Sequence, residues 1–136
     1  MTMVKNTVNN CDLFLRSIGG RILVVDDEED ITLVVKKALE SNGFTADAFS
    51  DPRSALKNFR PGLYDLVLTD IKMPQMDGFE LYREIRRMDG AVKVCFLTAF
   101  EMYQEELEAT GVKCFIKKPV SIGYLLEIVR DQLKST

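Results

Sequence analysis

Histidine does not occur in this 136-residue chain. Its absence removes Ser-His and Cys-His catalysis and, with them, most zinc sites. Cysteine is scarce. Cys11, Cys95 and Cys114 form no C-x-x-C pair and lie in or beside apolar stretches, so they read as buried free thiols rather than redox or metal ligands. No apolar run approaches the ~20 residues of a membrane-crossing helix. The first twenty residues hold no signal-peptide block, because Leu13 to Leu15 is followed by Arg16 and Ser17. A basic surplus is missing too: 18 lysines and arginines against 21 acids give a net charge of -3, which argues against a nucleic-acid binder. These absences predict a cytoplasmic protein in direct contact with neither membrane nor nucleic acid. There is also no D-x-D-x-D-G loop, which excludes a calcium EF-hand. The first turn, Asp26-Asp27-Glu28, is acidic where a nucleotide or flavin site needs glycines.

The length suits one compact core and is too short for two ordinary domains. Residues 1–20, with Asn6, Asn9 and Asn10 and an apolar group at Leu13, Phe14, Leu15 and Ile18, read as a tail or linker ending at Gly19-Gly20. Residues 21–136 read as the domain, in which strand-like and helix-like stretches alternate. Arg21 to Val25 is a β-rich run, and Glu29 to Ser41 places Ile31, Val34, Val35, Ala38 and Leu39 at helical spacing before Asn42-Gly43 ends it. Phe44 to Phe49 is a weaker strand. Asp51 then caps a helix with Pro52 at its first position, and Pro61-Gly62 ends it. Asp65 to Thr69 is the third strand, followed by a helix marked by Phe79, Tyr82 and Ile85 and closed by Asp89-Gly90. Val92 to Leu97 is a fourth strand. The helix from Met102 to Thr110 is rich in glutamate and poor in core-facing residues, which makes it the loosest element. Lys113 to Lys117 is the last strand, and Ser121 caps a helix striped by Ile122, Leu125, Leu126, Val129 and Leu133. Five strands alternating with five helices predict an α/β fold, a doubly wound parallel sheet with helices on both faces.

The stretch from Leu66 to Gly78, L-V-L-T-D-I-K-M-P-Q-M-D-G, carries most of the chemistry. A short apolar run is a strand buried on both faces, and Pro74 and Gly78 break it, so Asp70 stands at the carboxyl end of an interior strand. An acid there needs a cation or a raised pKa. We read Asp70 as a nucleophile for a phosphoryl group. In such a sheet the loops after the strands share one rim. Asp26 and Asp27 follow the first strand, Thr98 the fourth and Lys118 the fifth, so all meet Asp70 there. Three carboxylates together repel, and hard oxygen ligands with open positions suit Mg²⁺. Glu28, Glu29 and Asp30 read as an acidic first turn that complements the helix dipole, whereas Asp27 reads as a metal ligand. Lys118 supplies a point charge for a phosphoryl oxygen and Thr98 a hydroxyl donor, with an exposed lysine and a plain helix cap as the ordinary alternatives. A cis peptide before Pro119 would turn Lys118 inward, against a prior of about 5% for any X-Pro bond.

Four segments, V-V-D-D-E at Val24 to Glu28, D-I-K-M-P-Q-M-D-G at Asp70 to Gly78, L-T-A at Leu97 to Ala99 and K-P at Lys118 and Pro119, occur in order at strand ends. From Arg21 onward the chain resembles the receiver domain of two-component response regulators. The resemblance implies a flavodoxin-like sheet of strand order 2-1-3-4-5. It implies phosphorylation of Asp70 by a sensor histidine kinase or phosphotransfer protein. It further implies Mg²⁺ on Asp27, Asp70 and the backbone carbonyl of Lys72, with Asp26 assisting through water, and Thr98 and Lys118 on the phosphoryl oxygens. Phe115 matches the aromatic switch position of that family, although its spacing alone reads as core. The face made by the fourth helix, fifth strand and fifth helix would then meet a downstream protein or a second copy of the chain. The domain would be a signalling module rather than an enzyme, acting at most on its own phosphoryl group.

Lys72 and Phe100 depart from commoner choices beside the path of water to the acyl phosphate, and shielding by Phe100 predicts slow self-dephosphorylation. Two other readings compete. A phosphorylation-independent scaffold would keep the fold and dock a partner through the tail. A haloacid-dehalogenase-like phosphatase would need an acid two residues after the nucleophile, where this chain has Lys72.

Overall fold

A computed structural model describes residues 19–99 and 104–134. Five parallel strands form one sheet: β1 (Arg21–Val25), β2 (Thr45–Phe49), β3 (Leu66–Asp70), β4 (Lys93–Thr98) and β5 (Phe115–Lys117), in the order β2-β1-β3-β4-β5. The helices are α1 (Glu29–Ser41), α2 (Pro52–Asn58), α3 (Gly78–Met88), α4 (Gln104–Thr110) and α5 (Ile122–Lys134). The expected strand order and the alternation therefore stand. Boundaries shift by a few residues: Asp70 and Thr98 are the last residues of their strands rather than the first of their loops, and β5 is only three residues long. The tail reading at residues 1–18, Cys11 within it, Phe100 and the first turn of the fourth helix from Met102 fall outside the described residues.

The apolar runs of β1 and β3 are continuous because both faces of the sheet are covered. Side chains alternate across a strand, so Ile22 and Val24 join Leu66, Leu68, Leu97 and Ile116 beneath Val35 and Leu39 of α1 and Leu125 and Val129 of α5. Leu23 and Val25 point the other way, with Val67, Val94 and Phe96, against Ala55 of α2 and Phe79, Leu81 and Ile85 of α3. Each such side chain, fully buried, stabilises the fold by about 1.5–3 kcal/mol. All five residues of β3 are buried, so the strand that ends in Asp70 is the most enclosed in the sheet.

Local signals set the helix ends. Asp51 accepts a hydrogen bond from Arg53 N at 3.0 Å and Pro52 opens α2. Asp77 and Glu80 form a reciprocal capping box at the start of α3, with contacts of 2.9 and 3.1 Å. Asp89 closes α3, and its carboxylate also accepts from Gly62 N at 2.9 Å and from Ala91 N and Val92 N at 2.9 and 3.2 Å. One side chain thus joins two loops at the edge of the sheet opposite the strand tips. The described part of α4 buries no residue fully, as its composition predicts. Tyr82 of α3 holds its end by donating to Thr110 O at 3.0 Å.

The reading of Cys95 and Cys114 as free thiols is corrected. Cys95 and Cys114 form a disulfide, because β4 and β5 pair in parallel with Phe96 beside Phe115 and so bring the residues before them together.

Candidate functional site

The site lies where β1, β3, β4 and β5 end. Asp26, directly after β1, is fully buried, whereas Asp27 beside it is exposed. Asp70 ends β3 and Thr98 ends β4, both buried. The Asp70 carboxylate is held at Oδ1 by Ile71 N at 2.8 Å. Lys118 follows β5, and its backbone N donates to Thr98 O at 2.9 Å, so the ladder continues one step beyond the strand. The Lys118–Pro119 peptide is cis, against the low expectation for any single X-Pro bond.

The turn beyond Asp70 folds back on the strand. Gly78 N donates to Ile71 O at 2.7 Å, and Gln75 sits at a φ of 70°, within the left-handed region. Gly78 packs on the backbone of Asp70 and Ile71 so closely that only a glycine fits there unless the turn moves.

Carboxylate oxygens of Asp26, Asp27 and Asp70 lie within 4.8 Å of one another. Two like unit charges about 4 Å apart repel by about 4 kcal/mol at an effective dielectric of about 20, so the group is stable only with a cation or with bound protons. Lys118 supplies one positive charge. Its Nζ stands 2.7 Å from Asp26 Oδ2, 3.1 Å from Asp70 Oδ2 and 3.4 Å from Glu28 Oε1, with the side chain one-tenth exposed. One ammonium does not balance the acids. Burial, together with repulsion from Asp26, pushes the Asp70 carboxyl up to about 6 despite Lys118. Burial likewise raises Asp26, against the pull of Lys118 and a hydrogen bond from Glu28 N at 2.9 Å. Burial works to lower Lys118, but the close contact with Asp26 and the charge of Asp70 outweigh it and raise the ammonium well above its ordinary range.

The donor set fits a small hard cation. All three side chains offer carboxylate oxygen, and Asp26 Oδ2 is buried with an ion-pair contact to Lys118 but no aligned hydrogen bond. Asp27, Asp70, Lys72, Thr98 and Lys118 line one cleft of about 560 Å³, with Ile71 to Pro74 as one wall. Lys72 thus lines the same cleft as Asp27 and Asp70.

Six of the residues singled out in the sequence meet here: Asp26, Asp27, Asp70, Lys72, Thr98 and Lys118. Phe115 does not. It is 44% exposed and lines a neighbouring cavity between α4 and β5, to which Thr98 also contributes. Glu28 was missed as a site residue. It occupies the N-cap position of α1 without making a side-chain cap, and its carboxylate turns to Lys118 instead. Its position two residues after Asp26, on the same rim, was the available signal.

Residues 22–130 match the family model of the response regulator receiver domain. The chain is 33% identical over 107 residues to the transcriptional regulatory protein RprY of Bacteroides fragilis, covering 77% of this chain and 45% of that one. Identity to the transcriptional regulatory protein TcrA of Mycobacterium tuberculosis is also 33%, over 117 residues, 85% of this chain and 46% of the relative. The chain therefore spans about half the length of these curated relatives. Among solved structures, the non-phosphorylated HemR receiver domain from Leptospira biflexa superposes with a TM-score of 0.78 at 30% identity, covering 85% of this chain and 95% of that one. The response regulator TrrA from Thermotoga maritima, solved in complex with Mg²⁺-BeF, gives a TM-score of 0.74 at 37% identity, with coverage of 83% and 98%. With a five-stranded parallel sheet of order 2-1-3-4-5 and its acids gathered at one rim, the chain belongs to the family of response regulator receiver domains.

Proposed function

We propose that Asp70 is the phosphoacceptor of a phosphorelay and that residues 21–136 form the unit that carries it. The observation that supports this reading is the convergence of Asp26, Asp27 and Asp70 within 4.8 Å, with Lys118 Nζ 3.1 Å from Asp70. A carboxylate oxygen of Asp70 attacks the phosphorus of a phosphohistidine on a sensor kinase or phosphotransfer protein. The phosphorus–nitrogen bond breaks, the imidazole nitrogen leaves with the bonding pair, and an aspartyl phosphate forms. None of these 136 residues is a histidine, so the phosphohistidine donor is not among them.

Catalysis here consists of positioning and charge neutralisation. Asp27, Asp70 and the Lys72 carbonyl, with Asp26 assisting through water, would hold Mg²⁺, which would supply countercharge for the incoming phosphoryl oxygens. Lys118 releases Asp26 and Asp70 and takes one of those oxygens as a point charge, while the Thr98 hydroxyl donates to another. Thr98 lines both this cleft and the cavity that holds Phe115, so a movement of Thr98 toward the phosphoryl group frees space for the ring to turn inward. The altered surface of α4, β5 and α5 then meets a downstream protein or a second copy of the chain. This module signals from the cytoplasm. Among the described residues no helix is long and apolar enough to cross a membrane.

The test is incorporation of phosphate from acetyl phosphate, followed by intact mass with and without Mg²⁺. Wild type gains one phosphoryl mass only with Mg²⁺, and Asp70→Asn gains none. Labelling that persists in Asp70→Asn, or no labelling together with no beryllofluoride binding, would overturn the reading in favour of a phosphorylation-independent scaffold.

A further inference from the structure

The disulfide joins two strands whose opposite ends carry the site. Cys95 lies in β4 and Cys114 immediately before β5, with Cα atoms 4.7 Å apart, and Phe96 N donates to Cys114 O at 3.0 Å. That spacing is the ordinary one for a bridged pair, so no backbone displacement is needed to make or open the bond. The two residues pack on the same core but differ in burial. Cys95 is fully buried in the core that holds Leu97, Ile116 and Leu125. Cys114 is half-buried and lines an open cleft of about 490 Å³ at the edge of the sheet opposite the acids. Arg86, Lys93 and Lys113 line the same cleft. Cationic side chains there attract the carboxylates that small biological thiols carry.

Ile116 anchors β5 in the core, but the strand is short and lies at the edge of the sheet. It has three residues, of which Phe115 and Lys117 are exposed, and it pairs with β4 alone at the edge of the sheet. The same two strands end in Thr98 and lead into Lys118.

We propose that Cys95 and Cys114 are a thiol–disulfide exchange site for a low-molecular-weight thiol, entered at Cys114, whose oxidised form fastens β5 to β4 below Thr98 and Lys118. Cys114 is the less buried of the two residues and borders the cleft. An external thiolate attacks Cys114 Sγ, the Cys95–Cys114 bond breaks, and Cys95 sulfur leaves with the electron pair and takes up a proton. A second thiolate attacks the outer sulfur of the mixed disulfide and releases Cys114. The sum is one protein disulfide and two thiols giving two protein thiols and one small disulfide, a two-electron exchange that runs backwards when the small disulfide is in excess. The proposal stands independently of any phosphoryl transfer at Asp70.

The test uses the full chain with Cys11→Ser, so that alkylation counts this pair alone. The native protein is equilibrated with graded mixtures of reduced and oxidised glutathione, then unfolded into excess iodoacetamide so that the buried Cys95 is counted too, and weighed. The expected result is a reversible change from two alkyl groups to none, with a Cys95–Cys114 peptide in the oxidised sample and no denaturant needed in either direction. Hydrogen exchange at Ile116 and Lys117 is expected to slow on oxidation. In Cys95→Ala a glutathione adduct accumulates on Cys114, whereas in Cys114→Ala none forms on Cys95. Should Cys95→Ala fail to fold, the thiol count on the otherwise native chain decides alone. Reduction that occurs only in denaturant, two alkyl groups at every ratio, an adduct on Cys95, or unchanged exchange in β5 would each overturn the proposal.

Discussion

A Cβ added to Gly78 would stand 2.2 Å from the carbonyl oxygen of Asp70 and 2.9 Å from Ile71 Cα. Atoms do not approach so closely, and the obstacle is backbone, which yields less than a side chain does. Gly78→Ala is therefore expected to push the turn off the end of β3. Stability should fall by about 1–3 kcal/mol, the range for overpacking a close contact, and beryllofluoride affinity should fall with it. Urea unfolding and a titration on the same sample check both. A variant as stable as wild type would mean that the turn relaxes freely.

Lys118 holds two buried acids without cancelling their charge. Lys118→Ala leaves Asp26 and Asp70 facing each other with no ammonium, and removing one partner of a buried charge group costs about 3–5 kcal/mol. Added Mg²⁺ should restore more of the melting temperature in this variant than it adds to wild type, because an ammonium no longer competes for the same oxygens. Melting curves across a Mg²⁺ series measure it. Equal shifts in the two proteins would show that ammonium and cation do not compete.

Asp89 supplies a pH signature remote from that cleft. The hydrogen bond from Gly62 N, with those from Ala91 N and Val92 N, holds its carboxyl below the ordinary value of 3.8. A depressed acid binds fewer protons folded than unfolded. Its contribution is complete above the unfolded value and is lost as the pH falls through the lower folded one. The stability difference between wild type and Asp89→Asn should therefore be constant near neutrality and shrink below about pH 4. A difference that holds constant down to pH 2 would assign its role to something other than charge.

Phe100 follows Ala99 of the cleft in the sequence. If an aromatic ring there shields the acyl phosphate from water, Phe100→Ala shortens the phosphoryl lifetime, read as loss of the phosphorylated mass with time. An unchanged lifetime counts against shielding.

Much of the scaffold was legible from composition and order alone. The double-sided apolar runs at Ile22 to Val25 and Leu66 to Leu68 demanded a covered parallel sheet, and Asp51-Pro52 marked a helix start that the structure keeps. Elements with weak local signals were bounded less well. β5 was expected from Lys113 and begins at Phe115, because an edge strand with one neighbour is set by that neighbour and not by its own pattern. The cysteine pair was misjudged for a related reason. A separation of 19 residues carries no pairing signal until β4 and β5 are in register.

Periodicity and breakers dictated which acids, hydroxyl and amine stand at strand tips, since a parallel sheet sends every strand end to one rim. They did not dictate which of these groups touch. With about 4.8 Å between neighbouring strands, β5 lies roughly 14 Å from β1, too far for a straight lysine from its own strand end. Lys118 nonetheless meets Asp26 at 2.7 Å and Glu28 at 3.4 Å from its place one residue past β5, beside Thr98. Contacts of that kind depend on sheet order, loop course and burial acting together, and no local stretch of sequence encodes a distance between strands that are not neighbours.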